Sequence, residues 1–131
     1  MSDRPTAWPQ GLTAITVFTE DLAATSAFYQ EVFGLPVAHE DSSSAVFLFG
    51  PTMLNLLDIA HAPELVEPVT VAPHNAGART VFTLTVDDVD ALCADLQRRG
   101  VTLLNGPMDR PWGIRTASFR DPSGQIWEIA Q

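Results

Sequence analysis

The feature that most constrains this chain is a repeat of pattern rather than of identity. Thr19-Glu20-Asp21-Leu22 is matched by Val86-Asp87-Asp88-Val89, 67 residues further on. Each tetrapeptide closes an apolar, alternating segment and opens a helical one. Ile15, Val17 and Phe18 fall in the first segment; Val81, Thr83 and Thr85 alternate with Phe82, Leu84 and Val86 in the second. Alternation of this kind reads as strands with at least one buried face. Asp21 and Asp88 then read as N-caps, because a carboxylate there accepts an amide left unpaired by the first turn. Leu22 to Phe33 reads as a helix, with Phe28/Val32 and Tyr29/Phe33 stacked one turn apart. Val89, Leu92, Cys93 and Leu96 give the second helix its apolar stripe. Gly34 and Gly100 stand where a helix ends in a left-handed residue.

The segments beyond the two helices match as well. After the first helix come Leu35 to Glu40, Ala45 to Phe49 and Met53 to Asp58, the last two joined by Gly50-Pro51-Thr52. After the second come Val101 to Asn105, a loop from Gly106 to Gly113, then Ile114 to Arg120 and Gln125 to Ala130. The turn Asp121-Pro122-Ser123-Gly124 joins the final pair. Between the halves, Ile59 to Ala78 is twenty residues with three prolines and no period, read as a crossover. The expected organisation is a short arm at 1–10 and one α+β domain at 11–131. Module 1 spans about 11–58, the crossover 59–78 and module 2 about 79–131, so βαβββ occurs twice. A ferredoxin-type sandwich has four strands for two helices; here there are eight.

Composition removes several function classes. With 16 acidic residues against 7 arginines and no lysine, the net charge is −9. That balance opposes nucleic-acid binding, which needs a cationic face, and would suit a cationic ligand through a weak long-range field. The single cysteine, Cys93, excludes an intrachain disulfide and a cysteine metal cluster; on its apolar stripe it reads as an inert core thiol. Residues 1–10 have no apolar run and do not read as a signal peptide, and no segment approaches the roughly 18 apolar residues of a membrane helix. A cytoplasmic protein is the expectation.

Paired βαβββ modules resemble the vicinal oxygen chelate superfamily, which includes glyoxalases, bleomycin-resistance proteins and dioxygenases. Phe28-Tyr29 with Val32-Phe33-Gly34-Leu35 looks like its first helix and exit. Asp121 to Ile129 looks like its final hairpin, and Pro111-Trp112-Gly113-Ile114-Arg115 is similar to a loop of its bleomycin-resistance and glyoxalase-like branch. The resemblance covers about residues 11–130 and implies a cupped mixed sheet. In metal-using relatives, one ligand stands on the first and fourth strand of each module. Those positions carry over to Ala14, Asn55, Val81 and Glu128. Two have no donor atom, one offers a neutral amide and only Glu128 is anionic, so the set is poor for a divalent ion. No metal or other cofactor is therefore expected. A rearranged site using His61 or His74 with Glu128 would need the crossover to reach into the cup.

The functional expectation is metal-independent binding of a small organic molecule, with Glu128 as counter-ion or base and its carboxyl acidity weakened by burial in an apolar cup. Asn55, Met53 and Phe18 would line the cup. Trp112 would stack on a planar ligand, and Arg115 would meet a ligand carboxylate or a surface acid. The alternative is a lyase, isomerase or dioxygenase that uses Glu128 as base or an atypical metal site. The resemblance also implies a homodimer, and open sheet edges give a physical motive for one.

Overall fold

The computed structural model describes residues 6–131, so the first half of the expected N-terminal arm lies outside the described residues. Module 1 contains β1 (Ala14–Thr19), α1 (Leu22–Glu31), β2 (His39–Glu40), β3 (Ser44–Phe49) and β4 (Thr52–Asp58). After a 3-10 turn at Ile59–His61 and a one-turn helix α2 (Pro63–Val66), module 2 repeats the order. It contains β5 (Val81–Thr85), α3 (Val89–Arg98), β6 (Leu103–Asp109), β7 (Arg115–Arg120) and β8 (Ile126–Ala130).

The repeat holds in three dimensions. Hydrogen bonding divides the expected mixed sheet into two of four strands, ordered β1-β4-β3-β2 and β5-β8-β7-β6. In each sheet the module's first strand runs parallel to its last, and the remaining pairs are antiparallel. Both helices start as read: the Ala24 N–H donates to Asp21 and the Ala91 N–H to Asp88, each at 3.0 Å. Gly34 and Gly100 take positive φ beyond the helix ends.

Two expectations on strand length are corrected. The strand expected over Leu35 to Glu40 pairs only at His39 and Glu40, because Pro36 has no N–H to give a ladder. Conversely, β6 continues to Asp109 through a stretch read as loop. Register shifts between Leu103, Asn105 and Met108 let the strand absorb Gly106 and Pro107. Gly106 is required there: φ is +83°, and a Cβ would sit 2.4 Å from the Thr116 carbonyl oxygen.

Alternation sorts β1, β3, β4 and β5 into a core side and an open side, while β7 is buried on both. Val17, Ala45, Phe47, Leu54 and Leu56 of the first sheet join Ala117, Phe119, Trp127 and Ile129 of the second in one core, with Tyr29, Val89, Cys93 and Leu96 from the helices. The sheets meet directly where Phe49 stacks on Trp127 at 5.0 Å between ring centroids. Phe28 of α1 and Phe33 just beyond its end pack against Phe119.

One buried polar chain crosses this core. Trp127 Nε1 donates to the Tyr29 hydroxyl at 2.9 Å, and that hydroxyl donates to Asp121 Oδ2 at 2.6 Å. Asp121 Oδ1 accepts from the Ser123 and Gln125 amides and from the Ser123 hydroxyl. Burial, and then the Asp121 charge, push the Tyr29 phenol far above its ordinary acidity range, so it remains a donor. The helix of module 1 is thereby bonded to the last turn of module 2.

Candidate functional site

The side chains that alternate with the core form the open face of each sheet. On module 1 these are Ala14, Thr16 and Phe18 of β1, Met53, Asn55 and Leu57 of β4, and Val46 and Leu48 of β3. On module 2 they are Val81 and Thr83 of β5 and Ile126 and Glu128 of β8; Thr116 and Ser118 of β7 lie on the same side but are buried. Two of the apolar members are strongly exposed, Leu48 at 49% and Val81 at 53%.

On each face the module's first and last strands carry a polar pair at the same place. Thr16 stands beside Asn55 in the β1–β4 register, and Thr83 beside Glu128 in the β5–β8 register. The Asn55 amide approaches Thr16 Oγ1 at 3.5 Å, a weak contact. The Thr83 hydroxyl donates to Glu128 Oε1 at 2.9 Å. Ser118 lies across from Glu128 on the other side. The two threonines were not singled out from the sequence, although the signal was present. They are separated by 67 residues, the spacing that relates Asp21 to Asp88.

Of the residues expected to bind a ligand, Phe18, Met53 and Asn55 share the module 1 face, while Glu128 stands half-buried on the module 2 face. Trp112 lies in the β6–β7 turn, 68% exposed, with the Arg110 guanidinium 5.8 Å from its ring centroid. It is not packed into the core as a lid. Arg115 belongs to neither face. Its guanidinium grips Asp90 of α3 with two bonds of 2.8 and 2.9 Å and reaches Asp109 at 3.0 Å. These bonds raise Arg115 and lower Asp90 from their ordinary pKa values. Arg115 thus ties α3 to the second sheet, and its fork is committed to carboxylates of this chain.

The histidines lie elsewhere. His39 is exposed on β2, His61 is 3.5 Å from Glu64, and His74 is 2.9 Å from Glu20. Both crossover histidines therefore face acids other than Glu128. Among the described residues no three His, Cys, Asp or Glu side chains gather as a metal-binding group would. The Cys93 thiol is buried in the core, and burial pushes its pKa up.

The family model for the Glyoxalase/Bleomycin resistance protein/Dioxygenase superfamily matches residues 11–129. The chain belongs to this superfamily. Within it, the chain is similar to the uncharacterized protein YraH of Bacillus subtilis, with 32% identity over 122 residues, 90% of this chain and 95% of that protein. Among solved structures, a glyoxalase/bleomycin resistance protein/dioxygenase from Nocardioides has the same fold, with a TM-score of 0.84 and 24% identity over 96% of this chain and 85% of that one. A lactoylglutathione lyase from Agrobacterium tumefaciens superposes with a TM-score of 0.74 and 25% identity, over 93% of both chains.

Membership makes the four superfamily ligand positions a direct test of donor chemistry. Ala14 and Val81 hold methyl groups where a nitrogen or oxygen is needed. Thr16 and Thr83, two residues on, bring hydroxyls that are weak ligands while protonated. Glu128 and Asn55 cannot complete a three-ligand site on one ion. The residues present do not fit a divalent metal at the superfamily's position.

Proposed function

We propose that this superfamily member binds a small organic molecule, with no metal, between an open module 1 face and an open module 2 face. The observation that carries this reading is the pair of faces itself. Each has a polar doublet, Thr16/Asn55 or Thr83/Glu128, with apolar neighbours on the same strands, Phe18 and Met53 or Val81 and Ile126. A mostly apolar wall with few polar groups is what a small-molecule site requires. Glu128 supplies a negative charge held in place by Thr83, so the favoured ligand is a planar cation, with Asn55 as a neutral partner and Trp112 as a stacking surface. Phe18 and Met53 supply apolar contact.

In one chain the inner faces share a core, so this reading brings a module 1 face to a module 2 face through a second copy of the chain; the exposed Leu48 and Val81 support such an association. A homodimer with two composite sites is the arrangement proposed.

A second reading makes Glu128 a proton acceptor in a lyase or isomerase. The lactoylglutathione lyase among the structural relatives favours it. Calorimetry with Zn²⁺, Ni²⁺, Mn²⁺ and Fe²⁺, added one at a time, separates the two. No stoichiometric binding is expected; one tightly held ion per chain would overturn the metal-free site. A cationic acridine is then the first organic probe. Glu128→Gln should weaken its binding about tenfold, the loss of one charged contact, without moving the unfolding midpoint. Unchanged affinity would remove Glu128 from the site.

A further inference from the structure

A cavity of about 540 Å³ lies under the crossover; it takes in Thr16 and Phe18 at the edge of the module 1 face, but neither Asn55 nor Glu128. Its walls include Ile15, Val17 and Phe18 of β1 and Phe82 of β5, and its cover includes Val66 and Val71. That volume falls within the roughly 300–1,000 Å³ of small-molecule pockets. The crossover is fixed over it from two sides. The His74 N–H donates to Glu20 Oε1 at 3.1 Å, while the His74 ring meets Glu20 Oε2 at 2.9 Å. On the other side, the His74 carbonyl packs so closely on the β7–β8 turn that a Cβ on Gly124 would lie 3.0 Å from it.

The charge of the lining is the telling feature. Sixteen acidic residues are spread along this chain, yet none is among the residues lining the cavity. Arg79 is there, and among the described residues it makes no ion pair. Glu20 binds His74 but is not part of the lining. Close by, Thr80 donates its hydroxyl to Gln125 at 3.1 Å, placing further polar groups beside Arg79. A mostly apolar groove lined by no carboxylate, with one guanidinium that makes no ion pair among the described residues, selects an anion with an apolar body.

We infer that the cavity under the crossover is a second binding site, for an amphipathic organic carboxylate whose apolar part enters between β1, β5 and the valines above and whose carboxylate meets Arg79. It borders the site on the open faces at Thr16 and Phe18 and differs from it in the sign of charge it takes.

Octanoate, 1-octanol and octylammonium, equal in length and different in charge, are the probes for the full chain. Amide chemical shifts report the place of binding and calorimetry the affinity. Octanoate should shift amides at Val71, Thr80 and Phe82, and octylammonium should bind at least about tenfold more weakly. Arg79→Gln should remove that preference for octanoate over octanol, and Val71→Trp should block all three by filling the chamber. Equal affinity for octanoate and octylammonium, or shifts confined to other parts of the chain, would overturn the assignment. A null result with the acridine cation alongside normal octanoate binding would leave this site standing and remove the other.

Discussion

Tyr29 shows how much one side chain can join. Its ring lies in the core against Phe47, and its hydroxyl sits between Trp127 and Asp121. Tyr29→Phe would keep the ring and leave a buried carboxylate oxygen and an indole N–H without their partner. A loss of about 3 kcal/mol is expected, read from urea unfolding, because buried polar groups stripped of a partner lose their solvation without recompense. A loss below about 1 kcal/mol would mean that water replaces the hydroxyl. The sequence displayed Tyr29 and Asp121 only as a helix residue and a turn residue. Their bond spans 92 positions, and no local period announces a contact that distant. The place of Asn55 and Glu128 on the last strand of each module was legible through the resemblance to the superfamily. Arg115 was legible as a cation but not as one already held by Asp90 and Asp109, since the β6–β7 turn sets its direction.

Elements were read well where alternation or capping is strong. β1, α1, β5, α3 and the two final hairpins stand within a few residues of expectation. β6 failed because a bulge around Gly106 and Pro107 looks, residue by residue, like a loop. The crossover was read as irregular and contains only two short helical turns, but its clamp was invisible, because it depends on Glu20 meeting His74 across 54 positions. That clamp has a pH signature. The His74 backbone N–H, and then its ring, hold Glu20 below the ordinary carboxylate value of 4.5. A lowered folded pKa gives a contribution that is complete above 4.5 and lost as pH falls through the folded value. Protection factors for amides of residues 70–78 should therefore drop at acid pH before those of β4 or β8 do. Glu20→Gln should lower them already at neutral pH and flatten the dependence. Equal protection in the two proteins at pH 7 would show that the crossover is held by packing alone.

At the scale of the molecule, two open faces and four edge strands, β1, β2, β5 and β6, invite association. Sedimentation should give a dimer at micromolar concentration. Leu48→Asp with Val81→Asp should give a monomer of unchanged helix content; a monomer before substitution would remove the composite site. No described helix is long and apolar enough to cross a membrane. The Tyr29–Asp121 bond also bears on how such a chain could have arisen. The halves repeat in pattern, but the bond is one-sided. The residue in Tyr29's place on α3, eight after its capping aspartate, is Leu96, and the turn of module 1 that corresponds to Asp121-Pro122-Ser123-Gly124 is Gly50-Pro51-Thr52. A protein assembled from two copies of module 1 would have two keys and no lock; one assembled from two copies of module 2 would have the reverse. In this bond the halves are complementary, and a second copy of either in place of the other would leave it unmade.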